Sequence, residues 1–228
     1  MSVTTNLNQI RAEITAACLR VERDPQGIRL VAVSKTKSSA AIAQAAEAGQ
    51  KIFGESYVQE FLDKADEVHQ PVEWHFIGHL QSNKVKYLRN RVSMIHSVDR
   101  LSLAREINRQ WKSLERPLDV LIQVNLGDEE SKSGVSADQT ADLVREISAL
   151  PHLRIQGLMA LPPYCEDPED VRPFFRRLRG LADEIAALEL PGVNMGELSM
   201  GMSHDFAVAV EEGATLVRIG TAIFGARN

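Results

Sequence analysis

The sequence predicts an α/β protein built as a single (β/α)8 barrel. Three observations carry that reading. Eight short, apolar, β-rich runs alternate with helical stretches along nearly the whole chain. The 228 residues contain no Gly/Ser/Pro-rich linker or shift in composition that would divide them. The turn after the first run reads AVSKTKSSA and lacks the glycines that the phosphate turn of a doubly wound open sheet requires.

In chain order, the segment from about Asn6 to Arg23 is amphipathic and precedes any strand. It is expected to cover one end or flank, so residues 1–25 are assigned to an N-terminal helix and 29–228 to the barrel. The candidate strands are 29–34 (RLVAVS), 51–54 (KIFG), 74–78 (WHFIG), 93–98 (SMIHSV), 119–125 (DVLIQVN), 154–161 (RIQGLMAL), 197–201 (ELSMG) and 216–220 (LVRIG). Between them, 38–48, 57–68, 82–89, 100–111, 137–149, 169–188 and 204–211 read as helices. Gly49 and Gly213 stand where helices would stop, and Ser38, Ser136 and Ser203 where helices would be capped.

Composition narrows the function. With 26 Lys plus Arg against 31 Asp plus Glu the formal net charge is −5, so no basic field exists to hold a nucleic-acid backbone or an anionic membrane. No apolar run approaches the roughly 18 residues that span a bilayer, and the N-terminus lacks a basic start followed by an apolar core. Cys18 and Cys165 are too few for a disulfide framework and have no metal-ligand spacing. A reduced, cytoplasmic protein is expected, without metal, nucleic-acid or membrane partners.

In such barrels ligands bind where strands end and the following loops begin. The strand ends here are Lys35, Glu55 and Ser56, His79, Asp99, Asn125, Pro162, Met202 and Ser203, and Thr221. Lys35 shares the parity of Val31 and Val33, which aims it into the barrel mouth. Desolvation there favours the neutral amine that condenses with an aldehyde. A rim lysine whose stem covers apolar surface fits the same spacing, and Lys37 has the same parity further into the loop. After the last two strands, SMGMSHD (199–205) and RIGTAIFG (218–225) suit a phosphate. Gly201 and Gly220 permit close backbone approach, and the hydroxyls of Ser203 and Thr221 can donate. The same glycines would also simply relieve crowding, with Ser203 as an N-cap. Arg218 lies inside an apolar strand and must meet an acceptor, either an ion-pair partner or a ligand.

A lysine after the first strand and a phosphate cradle after the last two suggest pyridoxal 5′-phosphate. The segments VAVSKTK, FGESYVQE, WHFIGHLQSNK, NLGDEESKSG, GLMAL, LSMGMSHD and VRIGTAIFGAR resemble, in the same order and over essentially the whole chain, the YggS/PROSC family of pyridoxal phosphate homeostasis proteins. The resemblance implies a barrel of the alanine racemase N-terminal domain type carrying the cofactor as an internal aldimine on Lys35. Arg218 would face the pyridine nitrogen. Ser203, Gly220 and Thr221 would hold the phosphate, and Ser56, Met200 and Gly201 would complete the cofactor site. The family usually has Asn at the position of Ser56.

The expected role is a monomeric, non-catalytic carrier or buffer in vitamin B6 and amino-acid homeostasis, which delivers the cofactor to apo-enzymes and has no catalytic residue. The alternative is a racemase or decarboxylase of the same fold group. Those enzymes add a β-domain for which this chain has no room after its eighth strand, and a guanidinium at the ring nitrogen makes a poor electron sink. An aldolase using Lys35 would need Asp99 or Glu55 as its acid or base.

Overall fold

The computed structural model describes residues 2–127 and 133–226. Among these described residues nine strands, all in parallel pairings, form one sheet: β1 (Arg29–Val33), β2 (Ile52–Glu55), β3 (Glu73–Phe76), β4 (Met94–Val98), β5 (Leu118–Asn125), β6 (Val135–Ser136), β7 (Leu153–Ala160), β8 (Val193–Ser199) and β9 (Leu216–Ile219). The order β4-β3-β2-β1-β9-β8-β7-β5 closes on itself through β4–β5, which makes an eight-stranded barrel. The two-residue β6 pairs with the end of β5 outside that ring. Among the described residues eight α-helices accompany the strands: α1 (Val3–Arg20), α2 (Ser39–Glu47), α3 (Val58–Glu67), α4 (Leu101–Trp111), α5 (Ala137–Ser148), α6 (Arg172–Ala186), α7 (Phe206–Glu211) and α8 (Thr221–Phe224).

Strand alternation separates two cores. Val31, Ile52, Met94, Leu121, Met159 and Leu216 point inward and form an apolar plug of their own. Their neighbours in the chain, such as Ala32, Phe53, Ile95, Val120, Leu158 and Val217, pack outward beneath the helices. Both sets are fully or almost fully buried, and each large aliphatic or aromatic side chain so placed contributes about 1.5–3 kcal/mol. The final unit is short, because α8 has only four residues. Helix α1 compensates by burying Leu7, Ile10, Ile14, Ala17 and Cys18 against α2, α7 and α8, the flanking role expected of it.

The structure departs from the expected elements in ways that have local causes. The 82–89 segment is a 3-10 turn, Ser82–Tyr87. The 169–188 helix starts with a separate 3-10 turn at Pro168–Val171. β8 begins at Val193, four residues earlier than expected, where the β7–β8 register slips between Ile155 and Gly157. A side chain at Gly157 would place its Cβ 1.8 Å from the Glu197 carbonyl oxygen, so only glycine lets the two strands approach there. Among the described residues, no helix is long and apolar enough to cross a membrane.

Candidate functional site

At the C-terminal mouth of the barrel lies a cavity of about 840 Å³, at the large end of the range of about 300–1,000 Å³ usual for small-molecule sites. It brings together Lys35, Lys37, Ser56, Ser203, Arg218, Gly220 and Thr221 from four βα units. Strand parity accounts for the two central members. Val31 sits in the inner plug, Val33 lines the cavity above it, and half-buried Lys35 follows. On β9, Leu216 fills the plug and Arg218 stands one layer higher, paired in register with Val31.

Arg218 is buried to 4% exposure. It donates from Nη1 to Ser199 Oγ at 2.6 Å and from Nη2 to the Ala160 carbonyl at 2.9 Å. Among the described residues no carboxylate is in ion-pair contact with it. Burial holds its guanidinium down to about 10, with Asp205 acting in the opposite sense, so it stays charged at neutral pH. The ion-pair alternative is therefore not what the fold provides. The charge is left facing the cavity.

Beneath Arg218 runs a buried polar chain. Ser199 Oγ lies 2.9 Å from His96 Nδ1, and His96 Nε2 lies 2.9 Å from His75 Nδ1. Arg218 can only donate to Ser199, so the serine hydroxyl donates to His96 Nδ1. The proton of neutral His96 then sits on Nε2 and is donated to His75. Burial keeps both rings neutral. His75 is lowered to about 3, with Arg29 adding to the effect. His96 is pushed well below its usual value by burial, then by His75, Arg218 and Arg29. This chain escaped the sequence reading, although inward parity on the adjacent strands β3 and β4 was the signal for it.

The loops after β8 and β9 meet at Ser203. It does not cap α7. Asp205 occupies that position, and its Oδ1 accepts from the Met202 N–H. Ser203 Oγ instead receives the N–H groups of Gly220 and Ala222, each at the long distance of 3.4 Å. Two backbone donors and one hydroxyl thus converge at the start of α8, the donor set an oxyanion needs. Met200 does not join them. It is wholly buried in the outer core and is not among the cavity-lining residues. Its even parity on this segment turns it away from the mouth, which corrects its assignment to the ligand site. Gly201 is also absent from the lining. With φ at +87°, its missing Cβ would lie 2.6 Å from Ala209 Cβ and 3.0 Å from Phe206 Cα, so relief of crowding against α7 explains this glycine.

Ser56 is in the lining, its backbone pressed against Gly78, where a Cβ would come within 2.2 Å of the Ser56 carbonyl oxygen. Sequence reasoning missed Tyr57, Ile77, Gln123, Tyr164 and His204, which also line the wall, beside the strand-end candidates His79, Pro162 and Met202. Tyr164 and His204 stack at the rim with ring centres 5.3 Å apart. Asp99 and Glu55 are not in the lining: Asp99 pairs with Arg100 at 2.6 Å, and Glu55 points outward from β2 to Lys64 at 2.8 Å. Among the described residues, no carboxylate lines the cavity.

Comparison with known proteins agrees with this geometry. Residues 5–228 match the family described as alanine racemase, N-terminal domain. A pyridoxal phosphate homeostasis protein of Aquifex aeolicus is 46% identical over all of both chains. One of Escherichia coli K12 is 45% identical over 99% of this chain and 97% of its own. PipY of Synechococcus elongatus, solved with PLP bound, superposes with a TM-score of 0.86 at 34% identity, over 98% of this chain and 100% of its own. Alanine racemase of Corynebacterium glutamicum shares the fold, with a TM-score of 0.75 at 15% identity, and this chain covers 61% of it. The chain belongs to the alanine racemase N-terminal domain family, among its pyridoxal phosphate homeostasis proteins.

Proposed function

We propose that this protein binds pyridoxal 5′-phosphate covalently on Lys35 and acts as a non-catalytic carrier or buffer that supplies the cofactor to apo-enzymes in vitamin B6 and amino-acid homeostasis. The observation that carries this reading is the content of one cavity: an amine at Lys35, a buried guanidinium with no carboxylate in contact among the described residues, and the donors around Ser203. The donor set fits the group. Ser203, Gly220 and Thr221 would hold the phosphate, Arg218 the ring nitrogen, and Ser56 the wall beside the ring. Lys35, in its neutral form, adds to the aldehyde carbon. Two amine protons leave with the aldehyde oxygen as water, and a C=N bond remains. When bound, the group supplies an exchangeable imine carbon that an incoming amine can capture.

The non-catalytic part rests on the same residues. Arg218 keeps its proton and so donates to the ring nitrogen without protonating it, which weakens the ring as an electron sink. No carboxylate of the described lining is placed to take a substrate proton.

Borohydride reduction of the loaded protein, followed by peptide mass spectrometry, is expected to fix the label on Lys35. Label on Lys37 or spread over surface lysines overturns the assignment. The loaded protein is also expected to exchange α-protons of amino acids into deuterated water no faster than free pyridoxal phosphate does to within about tenfold. An acceleration of many orders of magnitude for any amino acid, lost in Lys35→Ala, would make it an enzyme.

The cradle has its own test. Losing a hydrogen bond to a charged group costs about 1.5–3 kcal/mol, roughly ten- to hundredfold in affinity. Ser203→Ala or Thr221→Val is therefore expected to weaken binding of pyridoxal phosphate by that factor and leave unphosphorylated pyridoxal almost unaffected. Equal losses for the two ligands, measured by titration, remove the phosphate role.

A further inference from the structure

Helix α3 carries an anomaly. Its buried face consists of Phe61 and, one turn on, Lys64. Phe61 is explained by packing edge-on to Trp74 with ring centres 5.6 Å apart, which fixes the helix over β2 and β3. Lys64 is a cation where an apolar residue would serve the core, and its side chain is only 7% exposed. It donates to the Glu55 carboxylate at 2.8 Å, to the Glu60 carboxylate at 2.6 Å and to the Ser34 carbonyl at 2.6 Å, which uses all three ammonium donors. Ser34 Oγ donates to the same Glu55 oxygen at 2.7 Å. Glu60 in turn accepts the backbone N–H of Thr36.

The two backbone groups so held are not arbitrary. The Ser34 carbonyl belongs to the peptide that enters Lys35, and the Thr36 N–H belongs to the peptide that leaves it. Thr36 has φ at +63°, a left-handed conformation that a β-branched residue does not adopt without constraint. Glu55 is fully buried, and an ion pair at such a depth is a poor source of net stability compared with well-packed apolar side chains. What this one provides is geometry.

We propose that Lys64 is the positioning residue for Lys35: directly through the Ser34 carbonyl, and through Glu60 to the Thr36 amide, it fixes both peptide groups that bracket the nucleophilic lysine. The clamp lies on the outer side of β1 and β2 and its residues are not in the cavity lining, so it touches no ligand. It acts on where Lys35 starts from. This inference rests on the reading that Lys35 takes the cofactor covalently.

The experiment compares pyridoxal phosphate with pyridoxine phosphate, which has the same ring and phosphate but an alcohol in place of the aldehyde and cannot bond to an amine. Lys64→Met strands Glu55 without its cation, so the double variant Glu55→Gln/Lys64→Met is measured alongside it, with Glu60→Ala as a milder break confined to the Thr36 side. Freeing the loop is expected to weaken pyridoxal phosphate binding by at least about tenfold and leave pyridoxine phosphate within about twofold of the unaltered protein. Equal losses for both ligands in the folded variants would show a merely structural role, and unchanged binding of both would show no role; either overturns the proposal. If the unaltered protein itself binds both ligands equally and borohydride fixes nothing on Lys35, the covalent reading fails, and the inference with it. That result is distinguishable because it appears before any variant is made.

Discussion

Acidification from about pH 7.5 to about pH 5 is expected to remove roughly 4 kcal/mol of stability from the cofactor-free protein, through His75 and His96. Both rings are neutral in the fold, His75 with its value lowered to about 3 and His96 well below the ordinary one, because burial excludes the charged form. In the unfolded chain each takes up a proton near pH 6.5. The unfolded state therefore binds more protons below that pH, and stability falls as pH falls, by about 1.4 kcal/mol per histidine per pH unit. The stabilisation is fully present above about pH 6.5 and drains away toward pH 3. Glu55 works the other way. Burial raises its carboxyl against the lowering effect of Lys64 and Ser34, so the fold protonates it before the unfolded chain does and part of the loss is offset. Urea unfolding at several pH values measures the balance. A flat profile between about pH 6 and pH 5 would mean that the buried pair is not neutral in the native state.

That pair shows where the sequence was readable and where it was not. The alternation of apolar runs and helices announced the barrel, because each strand must present one face to the plug and the other to a helix, and this rule is local. The same parity aimed Lys35 into the mouth, whereas Arg218 was left between an ion-pair partner and a ligand and reached the site only through the family resemblance. It fails where placement depends on which strands become neighbours. His75 and His96 meet only because β3 and β4 pair with His75 opposite Met94, and Ser199 joins them only across the closed barrel. Met200 was misassigned by its position within a recognisable motif, although alternation from Ser199 would have turned it outward. Ser203 was left between an N-cap and a phosphate donor, since a serine before a helical stretch fits both; the helix starts two residues later at Asp205, which leaves Ser203 facing the α8 loop. Lys64 carries no signal of burial in the sequence, because a lysine in a helix is ordinarily exposed. Only the packing of Phe61 on Trp74 turns its face inward.

Replacing Arg218 is expected to weaken cofactor binding strongly while leaving the stability of the cofactor-free protein nearly unchanged or raised. The guanidinium is buried, satisfied at two of its donors by Ser199 and the Ala160 carbonyl, and without a carboxylate in contact among the described residues. A charge so placed costs the fold several kcal/mol in lost hydration, which the two hydrogen bonds repay only in part. Arg218→Met keeps the unbranched stem of the side chain and removes the charge. It also leaves the Ala160 carbonyl and Ser199 each short of a donor, a cost of about 1–3 kcal/mol apiece that works against the gain. The cofactor-free variant should therefore unfold at a urea concentration close to or above that of the unaltered protein, with stability no lower than about 1 kcal/mol beneath it. Pyridoxal phosphate binding should weaken by roughly ten- to hundredfold, the value of a charge-assisted hydrogen bond to the ring. The stabilisation conferred by saturating cofactor should shrink accordingly. A residue that the fold keeps at a cost and the ligand repays is one retained for binding. A variant that is several kcal/mol less stable and yet binds the cofactor undiminished would show the reverse, with Arg218 serving as the structural keystone of the serine and histidine chain beneath it.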